Sequence, residues 1–178
     1  MNGRWCVRCS RKGPTPYLRQ RWPAIRQMLR AIDRPWRVLD LGCGTGRNLG
    51  WLTEQGRVEI EGLGIDLAIN LPGIGIPTVL GTERWPVYSS TVDVVLANYV
   101  FMFLSPKERK QVLQELNRVT HTGSYLMIEL YPAKDSQTPT DKDCAWLLEK
   151  LIKDLRKQWL VIHRVKNRCL LRRWKYDS

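Results

Sequence analysis

Asp40 stands two residues before the first of three alternate glycines in the run Val38-Leu39-Asp40-Leu41-Gly42-Cys43-Gly44-Thr45-Gly46. The apolar residues ahead of Gly42 read as a short strand, and a helix over about 46–55 is expected to leave the glycines. Glycines at such a turn let the backbone bend sharply and let a ligand lie against main-chain N–H groups. Three nucleotide-binding patterns compete for the run. A G-x-G-x-x-G fingerprint would put its third glycine on Arg47, and a P-loop needs a lysine that is missing here. What remains is D-x-G-x-G-x-G. A carboxylate at the mouth of the turn repels a pyrophosphate but suits a ligand with an ammonium group, such as a methionine moiety on a sulfonium. The plain alternative is a glycine-rich structural turn. Asp66 ends the next strand, where an acid accepts hydrogen bonds from both ribose hydroxyls. Read alone, it is a cap or turn residue.

Tyr99, Glu129, Tyr131 and His163 are the other side chains placed to line a substrate side. Each has a plain alternative: packing aromatic, strand-end acid, loop anchor and hairpin residue. None is assigned as a general base. Cys6 and Cys9 form a lone C-x-x-C, and a structural zinc site wants four ligands. Cys144, Cys169, His121 and His163 are scattered, so no metal site is assigned. An odd count of five cysteines without a secretory signal argues for reduced thiols.

The elements that must position these residues follow from spacing. Residues 10–16 read as irregular chain. A helix is expected near Pro23, with Ile25, Met28, Leu29 and Ile32 as its apolar stripe, stopped by Pro35. Leu63–Asp66 and Thr78–Gly81 are expected as the second and third strands, with a short or missing helix between them. Val92–Asn98 is a continuous apolar run, as in a strand covered on both faces. Ser105, Pro106 and Glu108 make a capping box for the clearest helix, followed by a strand at Ser124–Leu130. A last helix over about 141–157 precedes two strands around Lys166-Asn167. Strands alternating with helices argue for a parallel α/β sheet closed by an antiparallel hairpin.

A chain of 178 residues suits one domain, expected over 23–178, after a basic, partly irregular segment 1–22. No apolar run approaches a membrane span, and a cytoplasmic protein is expected. Charge is uneven. Residues 1–37 hold ten Lys/Arg against Asp33, and residues 156–178 hold eight against Asp177, whereas the middle is slightly acidic. Basic tails of this kind commonly serve solubility alone. Should the two ends meet, they would attract anions, including nucleic acid. Trp5, Trp22, Trp159 and Trp174 interleave with those charges, and packing is the expected role of most.

The segments VLDLGCGTGRNL, GIDLA, ERWPVYSSTVDVVLANYVFMFL and ELNRVTHTGSYLMIE occur in an order and at a spacing that resemble the motifs of class I S-adenosylmethionine-dependent methyltransferases. The match is best with the small single-domain type acting on diverse metabolites, and it covers residues 37–131. The resemblance implies a Rossmann-like sandwich with a mostly parallel seven-stranded sheet and a C-terminal antiparallel hairpin. S-adenosylmethionine would be the cofactor and S-adenosylhomocysteine its product. It implies that Gly42, Cys43 and Gly44 cradle the methionine and ribose and that Asp40 lies near the methionine amine. Gly46 and Asn48 complete the binding segment. Asp66 would hold the ribose diol, Leu67, Thr82 and Glu83 would flank the adenine, and the Asn98 carbonyl would meet the ammonium. Gly81 occupies a position where the family often has Asp. The usual Lys-Pro-Gly-Gly turn reads Thr120-His121-Thr122-Gly123-Ser124, which makes His121 an exposed loop histidine. The turn after the fourth strand, Asn98-Tyr99-Val100-Phe101, lacks the prolines of the enzymes that methylate DNA exocyclic amines. The expected activity is methyl transfer to a small, anionic acceptor. RNA or DNA methylation through the basic ends, and a non-catalytic cofactor- or nucleic-acid-binding module, are the alternatives.

Overall fold

The computed structural model describes residues 13–55, 60–66, 75–77, 84–131 and 140–175. Its elements run α1 (Pro16–Met28), β1 (Trp36–Leu41), α2 (Arg47–Glu54), β2 (Ile60–Asp66), β3 (Gly75–Pro77), β4 (Val92–Asn98), α3 (Pro106–Val119), β5 (Thr120–Glu129), α4 (Asp141–Leu155), β6 (Trp159–Val165) and β7 (Arg168–Arg173). The seven strands form one sheet in the order β3-β2-β1-β4-β5-β7-β6. The first five are parallel, and β7 runs antiparallel to both β5 and β6. This is the Rossmann-like sandwich, with its closing hairpin turning at Lys166-Asn167.

Alternation along each strand sends side chains to two cores. Leu39, Leu41, Val95, Ala97, Leu126 and Ile128 face one cluster, completed by Val112 and Leu116 of α3 and Leu148 and Leu151 of α4. Val38, Val94, Leu96, Tyr125 and Met127 face the other, under α1 and α2. Every residue of β4 is buried, which explains its unbroken apolar run. Strand order reverses between β1 and β4, so the crevice beyond their C-terminal ends is where this architecture places a ligand.

Several expectations need correction. The first helix begins at Pro16, not near Pro23. Thr15 caps it, accepting the Leu18 amide on its hydroxyl at 3.2 Å, and Pro16 takes the first position. Pro23 lies inside the helix. The helix ends at Met28, well before Pro35, and its buried stripe is Tyr17, Leu18, Trp22 and Ile25. Ile32 lies beyond the helix but still packs against the core. The third strand is Gly75–Pro77; the expected Thr78–Gly81, like Leu67, Thr82, Glu83, Trp5, Cys6 and Cys9, lies outside the described residues. Residues 120–124 are not a loop but the first part of β5, joined to β4 through an irregularity between Val92 and Val94. Trp22 and Trp159 are core side chains, whereas Trp174 is exposed. No helix among the described residues is long and apolar enough to cross a membrane.

Candidate cofactor and acceptor site

Gly42, Gly44 and Gly46 adopt φ values of +65°, +53° and +69°, left-handed backbone that favours glycine. At Gly42 space is tight as well, because a Cβ there would stand 3.2 Å from Cγ2 of Val100, in the loop after β4, and would press on it. The turn is tied internally. Ile65 O accepts the amides of Gly42 at 2.7 Å and Cys43 at 3.3 Å, and Asp66 Oδ2 accepts that of Gly44 at 2.7 Å. The glycines therefore serve closeness and curvature more than free N–H donors, and Asp66 braces the turn from the end of β2.

Asp40 lies beneath it, buried. Its Oδ2 accepts one hydrogen bond, from Asn48 Nδ2 at 3.3 Å, and its Oδ1 has no partner among the described residues. Burial raises its pKa to about 7; the Asn48 bond and the Arg47 charge oppose the rise, and Asp66 adds to it. The same burial, with Asp40 and Asp66 nearby, pushes the Cys43 thiol up to about 12 and keeps it protonated. Asn48 also accepts the Thr15 amide at 3.3 Å, so a chain of hydrogen bonds links the cap of α1 to Asp40.

Across the crevice, Asn98 ends β4 with its side-chain Nδ2 and Oδ1 buried and unpartnered among the described residues. Sequence reasoning gave Asn98 a backbone role and missed this amide. Tyr99 follows at φ +64°, a conformation that costs a bulky residue roughly 1–3 kcal/mol, and its amide donates to Glu129 O at 2.7 Å. Its ring packs edge-on against Tyr131, with centroids 5.7 Å apart, and lies 5.9 Å from the Arg47 guanidinium. Burial first, then the Glu129 carboxylate, pushes the Tyr99 phenol well above its usual range. Glu129 itself is fully buried and ion-paired through Oε1 to Arg168 Nε at 2.9 Å. Arg168 also lies 6.0 Å over the ring of Tyr17, whose hydroxyl meets His163 Nδ1 at 3.1 Å.

Tyr99, Glu129, Tyr131 and, through Tyr17, His163 are thus brought toward one end of the sheet. The first turn of α1 and the terminal hairpin touch there. Two further partners, Arg47 and Arg168, were not read from sequence. Arg47 follows the last glycine directly, which is a positional signal; Arg168 needs the β5–β7 register. His121 is not an exposed loop residue. Its Nε2 lies 2.9 Å from the buried Asp93, at the opposite end of β4.

A family model described as a methyltransferase domain matches residues 39–128, half of the chain. The chain is similar to the carboxy-S-adenosyl-L-methionine synthase of Psychrobacter sp. (strain PRwf-1), at 29% identity over 129 residues, 64% of this chain and 46% of that protein. It spans less than half of that relative's length. Among solved structures it is similar to a SAM-dependent methyltransferase from Aquifex aeolicus, with a TM-score of 0.59 and 19% identity over 85% of this chain and 86% of that one. It is also similar to the 1,6-didemethyltoxoflavin-N1-methyltransferase of Burkholderia thailandensis, solved with bound 1,6-didemethyltoxoflavin and S-adenosylhomocysteine. That likeness has a TM-score of 0.57 and 18% identity over 86% and 77% of the two chains. At such identities the structural likeness establishes the fold.

Proposed function

This chain belongs to the methyltransferase domain family, and from that membership we propose that the segment 38–48 holds S-adenosylmethionine and that the protein transfers its methyl group to a small anionic acceptor. The observation that carries the reading is Asp40, a buried carboxylate whose Oδ1 has no partner beside three left-handed glycines. A buried charge is costly unless a cation meets it. The cofactor's ammonium is such a cation, and glycines leave room for it to approach.

Asp66 would take the ribose diol, and Leu67, Thr82 and Glu83 would flank the adenine. The Asn98 carbonyl would meet the methionine part, with its buried amide a further contact. Bound there, the sulfonium supplies a methyl group already activated for in-line displacement. The chain's own residues then align the acceptor and exclude water. Burial and the Glu129 carboxylate favour the protonated Tyr99 phenol, which suits an orienting role through its ring and hydroxyl. The anionic acceptor is supported by the cations Arg47 and Arg168, whose charges act on Tyr99, and by the contact of α1 with the basic terminal hairpin.

Calorimetric titration with S-adenosylmethionine and S-adenosylhomocysteine tests the placement. Micromolar binding, weakened about tenfold or more by Asp66→Ala, is expected. Failure of both ligands to bind the wild type would remove the reading.

A further inference from the structure

We infer that Arg168 and Arg47 form the anion-recognising half of the acceptor site, gripping a carboxylate or phosphate group of the methyl acceptor beside the Tyr99 ring. The inference rests on the cofactor placement above and names the residues and ligand chemistry of the other half of that crevice.

Arg168 is the hub. Its Nε meets Glu129 Oε1, and its guanidinium covers Tyr17. Its side chain is 36% exposed, although the Glu129 carboxylate beneath it is fully buried. A guanidinium carries five N–H donors in a planar fork, more than the Glu129 contact through Nε can use, so Arg168 can receive another acceptor. Arg47 has no ion pair among the described residues and is set over Tyr99; its charge and that of Arg168 both act on the Tyr99 phenol. Arg21, one turn along α1 from Tyr17, adds a third cation. Its Nε is buried without a partner, and its charge acts on Tyr17 and His163.

Three guanidinium groups thus act on Tyr99 or Tyr17, and the one carboxylate that acts on both is Glu129. The remaining acids of the crevice, Asp40 and Asp66, sit at the glycine turn. Arg47 stands at the junction, its charge acting on both Asp40 and the Tyr99 phenol, whereas Arg168 and Arg21 lie on the Tyr17 side, away from the two acids of the glycine turn. Guanidinium forks match carboxylate and phosphate oxygens in pairs. The rings of Tyr99 and Tyr131, which are not fully buried, supply flat apolar faces, so an acceptor with a planar body and one anionic group fits both features. A nucleic acid would need a track of several phosphate contacts along the surface. These cations are instead gathered against tyrosine rings.

The test titrates the full chain, loaded with S-adenosylhomocysteine, with phenyl phosphate, benzoate, benzylamine and a short single-stranded RNA. Phenyl phosphate and benzoate are expected to bind in the ~millimolar range typical of such small ligands, and benzylamine not to bind. Arg168→Gln and Arg47→Gln should each weaken the anions about tenfold or more, with S-adenosylhomocysteine affinity in Arg168→Gln unchanged. Because Arg168→Gln strands Glu129, the double variant Arg168→Gln/Glu129→Gln gives the same readout without a buried unpaired charge. The inference is overturned if neither anion binds, if benzylamine binds as well, if both arginine variants bind the anions normally, or if RNA binds and phenyl phosphate cannot displace it. Failure of S-adenosylhomocysteine to bind the wild type, seen before any anion is added, would instead sink the cofactor placement and this inference with it.

Discussion

Asp40 sits where a carboxylate is costly to keep, and that cost is visible in its titration. Its pKa is raised to about 7 from an ordinary value of 3.8, chiefly by burial. A raised carboxylate pKa means that ionisation is paid for by the folded state. Stability is therefore lost as pH rises from about 4 to about 7 and is flat above that. Asp40→Asn should remove that loss and leave the unliganded protein more stable at pH 8, by about 2–4 kcal/mol in urea titrations. The same variant should bind S-adenosylhomocysteine more weakly, a trade of stability against function. A variant that is no more stable at pH 8 would mean Asp40 is better solvated than its surroundings indicate. Gly42→Ala makes the complementary point. It strains a φ of +65° and presses on Val100, so it should cost about 1–3 kcal/mol and weaken the cofactor, as a thermal melt with and without ligand would report.

Two devices hold the elements in place, one at the end of β4 far from the crevice and one at the crevice itself. At the entry of β4, buried Asp93 accepts both terminal nitrogens of Arg34 at 2.8 Å, the Arg37 amide at 2.8 Å and His121 Nε2 at 2.9 Å. Burial alone would raise the Asp93 pKa, but these donors outweigh it and hold it at about 2. His121 is raised in turn, first by Asp93, and its Nδ1 faces Thr122 O, so the imidazolium satisfies both contacts. The signs follow. Asp93 stabilises fully above its ordinary 3.8 and loses this as pH falls toward 2, whereas His121 stabilises fully below its ordinary 6.5 and loses this as pH rises through its folded value. Asp93→Asn should cost about 2–3 kcal/mol at pH 6 and abolish the loss due to His121 as pH rises, measured by urea unfolding across pH. The second device is Asn48, which joins the Thr15 amide to Asp40. Asn48→Ala should raise hydrogen exchange in the first turn of α1 and weaken S-adenosylhomocysteine together; a change in only one would show that the helix cap and the turn are independent.

At the scale of the whole molecule, the alternation of strands and helices, the capping box at Ser105 and the turn at Lys166 were legible because each depends on local sequence. The glycine turn was legible because three left-handed positions leave a compositional trace. Thr15-Pro16 was passed over because Pro23, inside the helix, imitated a helix start. Residues 120–124 read as a loop because their pairing with β4 is irregular and long-range. The Tyr99 side of the crevice was the least legible part. Arg168 meets Glu129 only through the β5–β7 register, and the strained backbone of Tyr99 has no signature in residue type. The uneven charge was legible as a quantity, but the contact of α1 with the terminal hairpin, Tyr17 against His163, belongs to the tertiary fold. All of this converges on one claim, that Asp40 and its glycine turn receive the amino-acid part of S-adenosylmethionine. The most direct measurement compares the affinities of S-adenosylhomocysteine and 5′-methylthioadenosine, which lacks that part, for the wild type and for Asp40→Asn. The wild type should prefer S-adenosylhomocysteine by about 100-fold, some 2.7 kcal/mol, and the variant should lose most of the preference while keeping its affinity for 5′-methylthioadenosine. Equal weakening of both ligands, or an unchanged preference in the variant, would contradict it.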